Sequence, residues 1–567
     1  MNRRSGLFQF IVLGVVTVAL LAFYFIAFHC MNKDLKSIFD EGFFFMLFRP
    51  RETFTAYLQP LSLGGDVLKA FIPGIERYDI LSLRRVSFFM KAIGLAVLIA
   101  SSIAFVKKEK APDSWVSYWV LVPCILLFGL IVIPSVVVGV NDELLFCEMI
   151  VLSLGLLAVI VEGKWIRAVL VFLIGMVSFI AMLCNAPGGG MLLLLTVLFV
   201  SFYPGFSWMR LIKTACIALA GMLLGVCVMH WMIIPIPDCV NFIKDALTLT
   251  ANTGAAAHHS LLKLLVGTLL NVRDLVITVV SLFGITYVSH LLGRYTKRAW
   301  VEILVGLVLF AVYYKWQVKP GVGFSNVMTW LFLMTVVSGV GNKALSSKDW
   351  VLLLFLFLLP FGLTMGSNLG FIYKAKTVIV PWGILLFFML DLIKEKKPFH
   401  SSILFLFVFA LIMVDPGRYL VDCLTRDSYR FDQERPIARM HLSKPQSDFY
   451  NEVYDVLEDY GYQSQRDTLL GFCFNEMTVV AVDAVPYTND QYPEEFLLHQ
   501  GQQLPRPPFL ILGKWDEIVL SKFMNSLGWR LSEDYDAYPL KTMPDPDAGY
   551  DDAKSTLYCL TTRKRQE

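Results

Sequence analysis

What most constrains this chain is a series of apolar runs, each long enough to cross about 30 Å of hydrocarbon. They fall at roughly 7–29, 87–106, 115–140, 144–162, 166–184, 189–204, 213–235, 272–292, 299–314, 325–341, 349–364, 376–392 and 400–420, thirteen in all. With 56% hydrophobic and 17% charged residues and a mean hydropathy of +0.61, the composition is not that of a soluble domain. The expected fold class is an α-helical polytopic membrane protein of about 13 transmembrane helices with a small C-terminal α/β soluble domain on the outer side. The first run follows Arg3 and Arg4, is longer than a signal-peptide core and has no small-residue cleavage site after it, so it reads as a retained helix. A net charge of +3, with Lys and Arg in short clusters between apolar runs, argues against nucleic acid as a partner.

Sidedness follows from those clusters, because short cytoplasmic loops are enriched in Lys and Arg. Every second connection is basic: Arg3 and Arg4, "VKKEK" from Lys107 to Lys110, Lys164 and Arg167, Arg210 and Lys213, "GRYTKR" from Arg294 to Arg298, Lys343 and Lys348, and "KEKK" from Lys394 to Lys397. Most intervening connections are acidic, Gly-rich or nearly neutral. The expected arrangement has a cytoplasmic N-terminus, a 1–420 membrane domain and a 421–567 extracytoplasmic domain. Two outer loops are long, 30–86 and 236–271. The first carries amphipathic stretches, "TFTAYLQPL" and "DVLKAFI", of a kind that lies flat in a membrane interface. No internal repeat is evident.

After residue 421 the composition turns polar, and about 145 residues suffice for an independent core. "DFYNEVYDVLEDYG" reads as a helix ended by Gly461. "TLLGFCF", "MTVVAVDAV", "PFLILG" and "STLYCLTT" read as strands. Cys473 and Cys559 fall on two of these strands, where the compartment permits a disulfide.

In the first outer loop, "SIFDEGFFFMLFRPRE" sets Asp40 and Glu41 immediately before a Phe-rich segment. Acids in the first turn of a loop helix have a simple explanation, since they complement the helix dipole. Their position beside so apolar a stretch gives another, because an ionised side chain at the bilayer surface needs a partner or a task. Residues 38–46, "IFDEGFFFM", resemble the first outer loop of the GT-C superfamily of polyprenyl-phosphate-dependent glycosyltransferases; the rest of the chain resembles that superfamily in layout. The resemblance implies an acidic catalytic residue in this loop, a many-span bundle, often an outer C-terminal domain, and an inverting transfer from a polyprenyl-phosphate-linked sugar to a glycan, lipid or protein acceptor. Asp40 is then the candidate general base, removing the acceptor's hydroxyl proton, and Glu41 its helper, with the two roles interchangeable at this stage.

A departing phosphate gains negative charge, so cations on the outer side are candidate donor ligands. Lys315 and Lys319 in "YYKWQVKPG", Lys374 and Lys376 in "GFIYKAK", and Arg273 stand against the inside bias; ordinary snorkelling to headgroups accounts for them equally well. His258 and His259 are candidates to orient a phosphate, or are simply solvated. Asn368, in "GLTMGSNLGF", lies where a Gly-rich backbone would approach a sugar or make a turn. Asp142 and Glu143 form a second acidic loop; some oligosaccharyltransferases bind a divalent ion with acids from two outer loops, and span capping is the other explanation. "CNAPGGG" reads as a turn. The oligosaccharyltransferase motif Trp-Trp-Asp-Tyr-Gly is absent and "GKWDEIV" is a poor substitute, so sequon recognition is not supported. The competing classes are a transporter or flippase for lipid-linked glycans and a non-catalytic assembly protein of the cell envelope. Spans nearly free of charge favour surface chemistry, since a transporter keeps essential charges near the midplane.

Overall fold

The computed structural model describes residues 3–32, 45–46, 48–49, 63–109, 115–132, 138–241, 244, 261–317, 323–340, 345–365, 374–394, 421 and 424. In the C-terminal region it describes 429–430, 437, 440–471, 476–487, 505–513, 524–525, 527–540 and 555–563. Among the described residues the helices before residue 395 include α1 (Arg3–His29), α2 (Gly64–Phe71), α3 (Ile80–Glu109), α4 (Trp115–Val132), α5 (Val140–Ile160), α6 (Lys164–Cys184), α7 (Ala186–Phe202), α8 (Trp208–Val228), α9 (Leu261–Thr296), α10 (Ala299–Gln317), α11 (Gly323–Val340), α12 (Ser347–Leu363) and α13 (Pro381–Lys394). All but α2 coincide with expected apolar runs. Among the described residues six helices are long and apolar enough to cross a membrane, and several shorter apolar helices accompany them. The last expected run, 400–420, lies outside the described residues. Apolar side chains such as Val169, Leu223 and Val280 are exposed on α6, α8 and α9, as a lipid-facing surface requires.

The bundle is built on α3, α5, α6 and α8 packed side by side, with α7 closing against α5 and α6, α12 against α7 and α13, and α13 against α4. α9, α10 and α11 form a further group, joined to the rest in part through α11 and α13. Helices α6 and α8 approach closely because small residues line their contact. A Cβ on Gly175 would lie 1.8 Å from the Ala218 carbonyl oxygen, and one on Gly221 would lie 1.9 Å from that of Phe172. In lipid, where apolar surface brings no hydrophobic gain, such backbone proximity supplies the packing. The "CNAPGGG" turn is tight: α6 ends at Cys184, and Asn185 caps α7 by accepting from the Gly188 N–H at 3.1 Å.

The two ends of the bundle differ. At one end the basic connections meet each other: Lys108 pairs with Glu162 at 2.5 Å, Lys348 with Glu109 at 3.2 Å, and Lys348 also lies over the Tyr203 ring. At the other, the head end, α2 packs on α5 and α6, and the C-terminal unit is seated. That unit holds a five-stranded sheet in the order β4-β3-β5-β7-β6. It comprises β3 (Thr468–Gly471), β4 (Val485–Pro486), β5 (Phe509–Gly513), β6 (Tyr535–Pro539) and β7 (Ser555–Leu560); β3 runs parallel to β4 and β5, whereas β7 is antiparallel to β5 and β6. Ahead of it, β1 (Tyr429–Arg430) pairs with β2 (His441–Leu442), and α14 (Lys444–Asp459) follows. Helix α14 buries Phe449, Tyr450, Val453 and Leu457 on one face and stops where Gly461 turns left-handed at φ 68°.

Several expectations change. "MTVVAVDAV" forms a short helix, Glu476–Ala481, before β4, because a short buried apolar run satisfies a helix as well as a strand. Strand β6 was not anticipated. Helix α9 starts at Leu261, so the end of the expected 236–271 loop is helical. Cys559 is a free buried thiol, and Cys473 lies outside the described residues. Phe45 and Phe48, expected to press into the bilayer surface, are buried in one apolar core with Leu68, Ile75 and Ile80 and with Ile437, Phe449 and Val453 of the C-terminal unit. Protein, not lipid, covers that part of the Phe-rich segment, and Arg49 pairs with Asp483 at 3.5 Å beside it.

Candidate functional site at the head end

The polar groups of the head end gather around the start of α5. Asp142 sits in its first turn, where the helix dipole favours a negative charge. Its Oδ2 accepts from the Gly139 N–H at 3.1 Å, closing the helix start, and from the Ser87 hydroxyl at 3.0 Å. Its Oδ1 lies 2.7 Å from Lys91 Nζ. Ser87 and Lys91 are four residues apart on α3 and so share a face. Lys91 also donates to the Val132 carbonyl oxygen at 2.8 Å, so the end of α4, the first turn of α5 and the upper part of α3 are held by one ammonium. Its side chain is only 2% exposed.

Glu143, the next residue, is buried too. Its Oε2 accepts from the Cys184 thiol at 2.9 Å, which ties α5 to the end of α6, and among the described residues its Oε1 has no hydrogen-bond partner. Deeper along α5, Glu148 is fully buried and neither of its carboxylate oxygens has a partner among the described residues. On α3, Arg84 is 2% exposed and donates to the Met31 carbonyl oxygen at 2.6 Å, fastening the end of α1. Asp66 and Lys69, 3.6 Å apart, lie on α2 above this group.

Lys374 and Lys376 come to the same end. A 3-10 turn, Ala375–Val378, lies against α4, α5 and α12 and carries both, half-buried. Lys315 is exposed in the last turn of α10. Arg273 is exposed well inside α9 and is paired with its neighbour Asp274 at 2.8 Å. Asp40, Glu41, His258, His259, Lys319 and Asn368 lie outside the described residues.

Both oxygens of Asp142 already accept from protein donors, one of them an ammonium, and among the described residues no group of three or more His, Cys, Asp or Glu could hold a metal; Asp40 and Glu41, on the other outer loop, lie outside them.

Sequence reasoning missed Lys91, Ser87 and Glu148, and with Lys91 and Glu148 it missed that two buried charged residues lie within spans. The signal was present: "FFMKAIGL" and "LFCEMIVL" each set a single ionisable residue in an apolar run, where such residues need a partner or a role.

Among solved structures, the chain is similar to the Archaeoglobus fulgidus oligosaccharyltransferase in complex with Zn and sulfate, at 12% identity and a TM-score of 0.47, over 92% of this chain and 71% of that one. It is similar to the same organism's enzyme in complex with an inhibitory peptide and a dolichol-phosphate, at 12% identity and a TM-score of 0.45, over 94% and 75%. A third structure, tethered to an acceptor peptide containing the NVT sequon, gives 13% identity and a TM-score of 0.42, over 95% and 73%. No family model and no curated protein matches the chain. All three TM-scores fall below 0.5, a level at which likeness assigns this chain neither a family nor a substrate.

Proposed function

We propose that the chain is a membrane glycosyltransferase of the GT-C type, moving a sugar with inversion from a polyprenyl-phosphate-linked donor to an acceptor hydroxyl of a glycan, lipid or protein at the head end of the bundle. The head end is the extracytoplasmic side in this reading, and the membrane is the bacterial inner membrane. The observation that carries it is the attachment of the segment following Asp40 and Glu41. Phe45, Phe48 and Arg49 are locked between the bundle and the C-terminal unit, so the chain is anchored four residues after Glu41. Asp40 is five residues from Phe45, a reach of at most about 18 Å. Asp40 takes the acceptor proton as the hydroxyl attacks the anomeric carbon, and Glu41 orients the acceptor. Lys374 and Lys376, beside the start of α5, meet the departing phosphate. Lys315, Lys319, Arg273, His258, His259 and Asn368 are further donor-contact candidates.

The experiment supplies purified full-length protein with radiolabelled polyprenyl-linked sugars and cell-envelope acceptors. Asp40→Asn and Glu41→Gln keep shape, and loss of the base should slow transfer about 10²-fold or more. Transfer at the wild-type rate by both variants refutes this mechanism. The second reading, a transporter or flippase for lipid-linked glycans, is favoured by one observation: Lys91 and Glu148 are buried inside spans. Donor translocation in vesicles without any sugar transfer would select it.

A further inference from the structure

At the start of α5 the sequence left two readings open for Asp142 and Glu143, a divalent-ion site and span capping, and the structure has the Lys91 ammonium there. Lys91 Nζ stands 2.7 Å from Asp142 Oδ1. It is not a surface lysine that has swung in: the side chain is almost wholly buried, and the Val132 carbonyl oxygen holds the ammonium from a third helix at 2.8 Å. The other oxygen of Asp142 is taken by Ser87 and the Gly139 N–H. Hard divalent cations need several oxygen ligands or waters around them, and a fixed ammonium in contact with the first carboxylate both fills that space and repels the ion.

We propose that the Lys91 ammonium is the resident cation of this acidic loop, seated against Asp142 where a divalent ion would otherwise bind. The head end then carries its positive charge on the protein itself. Three features support this over a merely structural ion pair. The ammonium is centred on the one carboxylate of the loop that retains some exposure, 14% at Asp142. Glu143, adjacent in sequence, has an oxygen with no hydrogen-bond partner among the described residues. Finally, Asp142 sits in the first turn of α5, at the end of the bundle that carries the C-terminal unit, and Lys91 reaches it from within α3. The inference concerns the same end of the molecule as the proposed transfer but does not require it, since cation occupancy is read without any sugar.

The test is Mn²⁺ binding to full-length protein in detergent, followed by electron paramagnetic resonance after chelator treatment and desalting. Wild type should bind no more Mn²⁺ than Asp142→Asn. Lys91→Met, which keeps length and removes charge, should gain about one Mn²⁺ per chain with affinity raised roughly tenfold or more. Adding Asp142→Asn to Lys91→Met should abolish the gain. A wild-type Mn²⁺ ion that disappears in Asp142→Asn overturns the proposal, as does a folded Lys91→Met protein that binds no more than wild type. If Lys91→Met does not fold, Lys91→Gln, which keeps a polar end and loses the charge, is read in its place with the same two outcomes.

Discussion

Breaking the Lys91 and Asp142 pair from either side should have unequal costs, and the structure says which is larger. Asp142→Asn removes the charge that neutralises a buried ammonium and leaves it neutral acceptors, the new amide oxygen and the Val132 carbonyl. Leaving one member of a buried pair alone costs about 3 to 5 kcal/mol, and burial this complete places the variant near the upper value. Lys91→Met leaves Asp142 with the Ser87 hydroxyl, the Gly139 N–H, the helix dipole and some solvent. Its cost should approach that of one charge-assisted hydrogen bond, about 1.5 to 3 kcal/mol. The double variant leaves neither charge buried and should cost less than the sum of the two, by an interaction energy of about 1 to 3 kcal/mol. Equilibrium unfolding of the purified protein, from mild detergent into increasing SDS, measures all three. Single-variant costs that add within about 0.5 kcal/mol would show that the two groups do not stabilise one another. A larger cost for Lys91→Met than for Asp142→Asn would contradict the assigned environments.

In the C-terminal unit, burial raises the Cys559 thiol from 9.0 to about 12, with Asp536 and Asp459 adding to the effect. Burial, then hydrogen bonds with Asp536 and Tyr538, also raises the Tyr460 phenol above 10.0. The folded state thus holds these protons more tightly than the unfolded state does. Stability is fully present below about pH 9 and falls as pH rises from there towards 12, by about 1.4 kcal/mol per unit for each group involved; thermal unfolding over that range checks it, and a flat profile refutes it. Gly221→Ala sets a methyl 1.9 Å from the Phe172 carbonyl oxygen and should force α6 and α8 apart, at about 1 to 3 kcal/mol or more in the same SDS titration. Lys374→Ala or Lys376→Ala, if either residue meets the donor phosphate, should weaken donor binding by about 1.5 to 3 kcal/mol at unchanged protein level; unchanged affinity in both removes the turn from the site.

The helices were legible because the length of an apolar run is a local property: "LIASSIAFV" or "MLLLLTVLFV" has no alternative once a bilayer is the solvent. The site was legible only where its chemistry is also local, as with Asp142 and Glu143 in adjacent positions. What was missed depends on partners far apart in sequence. Ser87 meets Asp142 across 55 residues, and Lys91 meets Val132 across 41, contacts that no periodicity encodes. The fate of "FFFMLFR" was misjudged for a related reason. An apolar stretch at a membrane surface satisfies lipid and protein equally in sequence, and only the position of Ile437, Phe449 and Val453 decides that protein covers Phe45 and Phe48.

The shared core of the first loop and the C-terminal unit puts a delay into the biogenesis of this molecule. Phe45 is made about 510 residues ahead of the strand holding Leu557 and Cys559, which closes the same core. At about 5 to 20 residues per second, some half a minute to well over a minute separates them. Through that interval the bundle is already threading into lipid while its head end lacks its final apolar neighbours. A nascent chain arrested before β7 should therefore bind hydrophobic probes or chaperones at Phe45 and Phe48, and release them only when the last strand arrives.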